Sequence, residues 1–348
     1  MNQTLNGIRR ILITILVAMG VGALFIIAIG ENPIDAYAAL FRGAFDGKLR
    51  LGTTLAGFTP LLLTSIAFAV AAKAGAFNVG VEGEVFLGGI TAAYIGINWT
   101  FLPKPALYVA CFVGAMVVAA AWAFIPAVLR AYYNVNEVCT TILMNTVALY
   151  ITSYLVSGPM SAGTANAQSL PVTVRLYQFM KPSSVNVGIF IAAITVIVII
   201  FMLQKSSWGY KIRTVGLNPT HADYVGIDSK KVFIGAMMLS GMLGGMAGCI
   251  EVLGVHGYFL NNFETGLGSN GMLAALIVKN NMVSTPFMAF FLAVLKSGAM
   301  GMQQSTGVPK SLVDTITAVF IIIATMETAF QFAKKRKKKT EEKKEDKA

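Results

Sequence analysis

Charge is scarce in this sequence. Only 12% of its 348 residues are Asp, Glu, Lys or Arg and 56% are hydrophobic, whereas soluble domains carry ~25% charged residues. An ordinary cytosolic globular fold is thereby excluded. Cysteine is also rare: Cys111, Cys139 and Cys249 all fall inside apolar runs without CxxC spacing. They read as small core residues, not as disulfides or metal ligands. No HExxH, Ser/His/Asp or paired-carboxylate arrangement occurs, so catalysis and metal binding have no candidate residues. Alternating ten-residue segments are missing, which excludes an outer-membrane barrel. No GxxxxGK[ST] phosphate loop is present, so nothing here cradles the phosphates of a nucleotide.

Apolar length is what the chain has in quantity. A helix needs about 20 apolar residues to cross a ~30 Å hydrocarbon core. Runs at 11–30, 51–72, 85–99, 106–129, 138–157, 187–203, 232–254, 270–278, 284–303 and 308–332 are the candidates. Those at 85–99 and 270–278 are too short to span as ideal helices. The first run follows Arg9 and Arg10 like a signal peptide, but its length favours a retained span. Placing Arg9 and Arg10 inside puts Lys73, Arg130, the loop 204–231, Lys279 and the basic tail inside as well. The polar loop 158–186 then faces outward, as does 31–50. The reading is an all-α polytopic membrane protein of about ten transmembrane helices, two of them short or broken, with both termini cytoplasmic. A transmembrane domain covers 1–333. The tail 334–348, with nine basic and four acidic residues, is expected to be disordered and to meet anionic lipid, not nucleic acid.

Several residues suggest function. The stretches 74–89 and 260–276 each place Asn, Glu and several Gly before a short helix. Such pairing suits a broken-helix site at a repeat interface, or else two ordinary loops. Asn78, Glu82 and Glu84 lie in the first stretch, Glu264 and Asn270 in the second. Ionisable groups at membrane depth are costly and mark function. Glu251 and His256 flank the outer end of the seventh span, where His256 either contacts solute or is a satisfied structural residue. Gly241/Gly245 and Gly244/Gly248 form two overlapping GxxxG pairs for close helix packing. At 1.5 Å per residue, Lys296 and Asp314 lie ~10 Å below the outer ends of adjacent spans, which suggests a buried ion pair.

The polar island 205–227 is long for a connector. Asn218 can cap a helix beginning at Pro219, and Gly226 can end it. Trp208 and Tyr210 suit a membrane interface. The run Trp208–Gly209, Arg213, Val215–Gly216, Asn218–Pro219 and Gly226–Ile227 resembles the coupling loop of ATP-binding cassette (ABC) importer permeases of the ribose/simple-sugar and branched-chain amino-acid type. Phe77–Asn78–Val79–Gly80 with Glu82–Gly83 is similar to the FNIG-x-EG segment of that group. Asn136–Glu137–Val138 with Thr140–Thr141–Ile142–Leu143–Met144–Asn145 is similar to a stretch of its nucleoside and simple-sugar members.

The resemblance implies a permease subunit in the plasma membrane that pairs with a second permease, alike or different. It implies a cytoplasmic ABC ATPase, which binds ATP and Mg, and an extracellular substrate-binding lipoprotein. This chain itself would hold no cofactor and do no chemistry. The ATPase-coupling set would be Arg213, Gly216, Asn218, Pro219, His221, Ala222 and Gly226. The solute pathway would include Phe77, Asn78 and Glu82, with Asn136, Glu137 and Asn145 as weaker candidates. His221 and Asp223 depart from the family, which often has Ala and a basic residue there, and Glu84 replaces a common Gln. A nucleoside is the expected solute, with a simple sugar next. The rival reading is a secondary active transporter with a broken-helix site; uptake that survives an uncoupler but dies with ATP depletion would decide against it.

Overall fold

The computed structural model describes residues 19–307 apart from 29 and 264, and then 309, 311, 314, 315 and 318. Helices dominate, and the only other pairing among the described residues is isolated backbone bridges. In chain order the helices are α1 (Met19–Ala28), α2 (Pro33–Phe45), α3 (Gly47–Lys73), α4 (Val81–Asn98), α5 (Lys104–Tyr133) and α6 (Glu137–Ser157). They continue with α7 (Gly188–Lys205), α8 (Ser207–Leu217), α9 (Pro219–Tyr224), α10 (Ser229–Ile250), a π turn (Glu251–His256), α11 (Leu267–Ile277) and α12 (Thr285–Thr306). Six of them are long and apolar enough to cross a bilayer: α3, α5, α6, α7, α10 with its π turn, and α12. The pair α1 and α2, bent by 116°, would supply a seventh.

The chain divides into two compact units. One holds both chain ends, Met1–Phe45 and Leu295–Ala348. Within it Ile26, Ala36, Leu40, Ala299 and Met302 form a small core. Gly43 brings α2 against the end of α12, since a Cβ there would lie 2.7 Å from Gly301 Cα. The other unit is Asp46–Val294. Its inner layer is α3 and α10, which are 78% and 67% buried over their most apolar windows. α6, at 17%, is the most exposed of the six. α4 lies between α10, α5 and α6.

Small residues make the inner layer possible. A Cβ on Gly241 would lie 2.7 Å from Ala119 O, and one on Gly245 2.4 Å from Ala115 O, both on α5. Gly244 and Gly248 turn to α4 instead: a Cβ on Gly248 would lie 2.0 Å from Val85 O, and one on Gly244 2.9 Å from Glu84 Cβ. The two GxxxG pairs of α10 therefore seat two different helices, each through van der Waals contact in a medium without hydrophobic drive.

Several expectations need correction. Residues 31–50 do not form an open loop but fold as α2 and the start of α3. Pro33 opens α2, with Asn32 Oδ1 accepting from Ile34 N (3.0 Å). A search for 20-residue runs passes over so short a helix. α4 begins at Val81, four residues before the expected run, because Glu82, Gly83 and Glu84 are helical despite their polarity. Residues 207–217 are helical too, as α8. Cys139 is exposed, unlike the buried Cys111 and Cys249. The seventh span does not stop at 254 but winds on through His256. Residues 1–18, the tail 334–348 and nearly all of 308–332 lie outside the described residues.

Candidate functional site

The start of α4 is held from three sides. Asn78, fully buried, donates through Nδ2 to Glu84 Oε1 and to Ser240 Oγ on α10, each at 2.9 Å. Its Oδ1 accepts from Gly80 N (2.9 Å). Gly80 has no side chain to cap the helix, so α6 does so: Asn145 Oδ1 accepts from Gly83 N (2.8 Å) and its Nδ2 donates to Val79 O (2.9 Å). Gly83 must be small, because a Cβ there would lie 3.0 Å from Ala148 Cβ. Glu84 is 1% exposed, and its Oε2 has no hydrogen-bond partner among the described residues. Replacing Asn78 with Ala strands Glu84, Ser240 and Gly80 together. At ~1–3 kcal/mol per stranded buried group, the variant should melt well below the parent in detergent. An unchanged melting temperature would show that the brace carries no weight.

The two Gly-rich stretches meet. Glu82 Oε1 accepts from Gly266 N, and Oε2 accepts from Ser269 N (3.3 Å) and Ser269 Oγ (3.4 Å). A carboxylate from α4 thus caps the N-terminus of α11, where it favours the orphan N–H groups and the helix dipole. α11 lies close on its neighbours through glycine: a Cβ on Gly268 would meet Glu82 N at 2.5 Å, and one on Gly271 would meet Thr64 Oγ1 at 2.4 Å. Thr64 Oγ1 in turn donates to Leu267 O (3.1 Å).

The polar island folds as two consecutive helices, α8 and α9, with Asn218 between them. Ser206 Oγ caps α8 through Gly209 N (3.0 Å), and Asn218 Oδ1 caps α9 through His221 N (3.0 Å), with Pro219 first in the helix. α9 closes with Gly226 at φ +82 and Ile227 N donating to Ala222 O (2.9 Å). Gly216 rests against the end of α3, since a Cβ would lie 2.0 Å from Lys73 O. Asp223 joins α9 to α10: Oδ1 accepts from Ser229 N and Oδ2 from Ser229 Oγ, both at 2.9 Å. Asp228 caps α10 through Lys231 N (3.0 Å), and this bond, with the Lys231 ammonium at 3.0 Å, holds its carboxyl below the usual carboxylate range.

At the far end of α10, the π turn meets the loop 158–186. Leu176 N donates to Leu253 O (2.8 Å), Val172 N to Gly257 O (2.9 Å) and Gln178 Nε2 to Gly254 O (2.9 Å). The Arg175 guanidinium donates to His256 O, and Tyr108 OH donates to Arg175 O (2.6 Å). His256 Nε2 stands 3.6 Å from Glu251 Oε2.

The expected site residues thus fall into separate groups. Asn78, Glu82, Asn145 and Asn270 surround α4 and α11, with Asn270 half-buried on α11. Phe77 packs edge-on against Phe68, with centroids 5.0 Å apart. Asn136 is the N-cap of α6, accepting from Val138 N and Cys139 N, and Glu137 pairs with Arg130 at 3.2 Å. Arg213 and Gly216 lie on α8, Asn218 to Ala222 cap and form α9, and Gly226 follows it. Lys296 is half-buried on α12 and Asp314 is exposed; most of the helix expected to carry Asp314 lies outside the described residues, as does Glu264. Ser240, Ser269 and Arg175 had no sequence signal, because each acts on a partner far along the chain.

Helices long enough to span a bilayer, the glycine-seated junction of α4 and α11, and the two helices α8 and α9 at one end of α10 are the parts expected of a membrane permease. Comparison with known proteins specifies it further. Residues 50–325 match the family described as the branched-chain amino acid transport system permease component, and the chain belongs to that family. It is 32% identical to the guanosine ABC transporter permease protein NupP of Bacillus subtilis, over 94% of this chain and 96% of the relative. It is 32% identical to a glucose ABC transporter permease protein of Haloferax volcanii (89% and 85%) and 30% identical to the nucleoside ABC transporter permease protein NupB of Lactococcus lactis (92% and 91%). The protein is a multi-pass ABC transporter permease of the plasma membrane.

Proposed function

We propose that this permease imports nucleosides and is itself non-catalytic. Similarity to guanosine and nucleoside permeases over more than nine-tenths of the chain carries the reading. It agrees with the Asn136–Asn145 stretch, which resembles nucleoside and simple-sugar members. In this reading ten spans place both termini in the cytoplasm, with α8 and α9 inside and 158–186 outside. A separate ATPase binds ATP and Mg and docks on α9 and its flanks, a second permease completes the pathway, and a lipoprotein delivers solute from outside. Closure of the ATPases moves α9, and Asp223 passes that motion to α10. The capped, glycine-seated junction of α4 and α11 is the part of the pathway that α10 would shift. Asn78, Glu82 and Asn145 would act there mainly by positioning their neighbours, since each holds a backbone N–H and Asn78 also holds the Glu84 and Ser240 side chains. Lys296 and Asp314 would pair between the last two spans, with Asp314 exposed and not buried as the sequence suggests.

A deletion strain complemented with the intact transporter should take up radiolabelled guanosine, survive an uncoupler and fail on ATP depletion. Glucose uptake without guanosine uptake would favour the sugar reading, which the similarity to the glucose permease supports. Uptake abolished by the uncoupler alone would favour a secondary transporter.

A further inference from the structure

A cavity of about 420 Å³ opens beside the C-terminal half of α4, within the ~300–1,000 Å³ range of small-molecule sites. Ile90, Thr91, Tyr94 and Asn98 line it from α4, Leu155 from α6 and Met160 from the segment after α6. We propose that it is an outer transit site that holds the flat, uncharged base of a nucleoside. The proposal rests on the nucleoside reading above and adds a place and a chemical class to it.

Helical spacing puts the polar groups on one stripe. Thr91, Tyr94 and Asn98 stand three and four residues apart, so they share a face of α4. Thr91 Oγ1 donates to Leu87 O (2.7 Å), which leaves its lone pairs to accept from a ligand. Asn98 Nδ2 spends one N–H on Tyr94 O (2.9 Å), which leaves its other N–H and the Oδ1 acceptor for a ligand. A side-chain amide offering donor and acceptor together matches the paired groups on a base edge. The Tyr94 ring is half exposed beside the cavity and supplies a stacking surface. Ile90, Leu155 and Met160 make the rest of the wall apolar.

No acid or base lines the cavity. A charged solute would lose its hydration there without a counter-charge, so phosphorylated and zwitterionic solutes are excluded. A hexose, with hydroxyls on every side, would leave several unpaired against Ile90, Leu155 and Met160.

Cells carrying the whole transporter, with Cys139→Ser and the apolar wall residue changed in Leu155→Cys, test this directly, because Cys111 and Cys249 are buried. A membrane-impermeant thiol reagent should label Leu155→Cys, and millimolar guanosine should slow labelling several-fold where glucose does not. Tyr94→Ala should slow guanosine uptake about tenfold, the effect of losing one base–aromatic stack, with Tyr94→Trp restoring it. Equal protection by glucose, or no labelling even without solute, would overturn the proposal. Normal guanosine uptake with neither protection nor a Tyr94 effect would overturn this site and leave the nucleoside reading intact. Absence of guanosine uptake in the parent would refute that reading instead. Should Tyr94→Ala fail to accumulate, the labelling result decides.

Discussion

Gly248→Leu is expected to yield no folded protein in the membrane. The first side-chain carbon alone would sit 2.0 Å from Val85 O and 2.7 Å from Gly89 N, and both are backbone atoms that no rotamer change can move aside. Ordinary overpacking costs ~1–3 kcal/mol; pushing α4 off α10 also breaks the Asn78–Ser240 bond and misplaces Glu82. Total stability is only ~5–15 kcal/mol, so the combined loss is of the size that abolishes folding. Gly57→Ala is the control. Nothing lies within 4 Å of a Cβ there, and alanine in a helix interior gains about 0.5–1 kcal/mol over glycine. Size-exclusion chromatography of detergent extracts separates the outcomes: a monodisperse Gly248→Leu peak with the parent's melting temperature would mean that α4 and α10 do not pack as described.

Asp223→Ala is expected to leave the protein folded and assembled while cutting uptake at least about tenfold. A helix cap is worth ~0.5–2 kcal/mol, which is small against the whole fold. Yet the two 2.9 Å bonds to Ser229 are the side-chain link from α9 to the first residue of α10. Without them a pushed α9 can tilt while α10 stays still. ATP hydrolysis should therefore persist in membranes and lose its stimulation by the solute-loaded delivery protein. Asp223→Asn keeps one carbonyl acceptor and should fall between. Uptake within twofold of the parent in Asp223→Ala would mean that the push reaches α10 by another route, such as the contact of Gly216 with Lys73 O.

Local signals in the sequence proved readable. Asn218, Pro219 and Gly226 mark the limits of α9 because capping is settled within a few residues. The overlapping GxxxG pairs announce close packing, since a residue of that size has little other use at that spacing. α2 and α8 escape a search for spans for the opposite reason: at 13 and 11 residues they fall below the length that marks a span, and α8 is polar enough to resemble a loop. The brace at α4 was half legible. Asn78 and Glu82 stood out by chemistry, but the bonds that define their surroundings run to Ser240, 162 residues away, and Gly266, 184 residues away. No periodicity reports a partner at that distance. Asn136 and Glu137, marked by the same motif as Asn145, turn out to cap and brace the start of α6.

The π turn at Glu251–His256 has a consequence for exchanging parts between relatives. Its carbonyls at Leu253, Gly254 and His256, with that of Gly257, are taken up by Leu176, Gln178, Arg175 and Val172. The turn's extra breadth and the spacing of donors in 158–186 are thus matched like a key to its wards. A chimera that borrows 158–186 from a permease with a regular helix there would inherit donors aimed at acceptors that no longer exist. The loop can be transplanted only together with the π turn that ends α10.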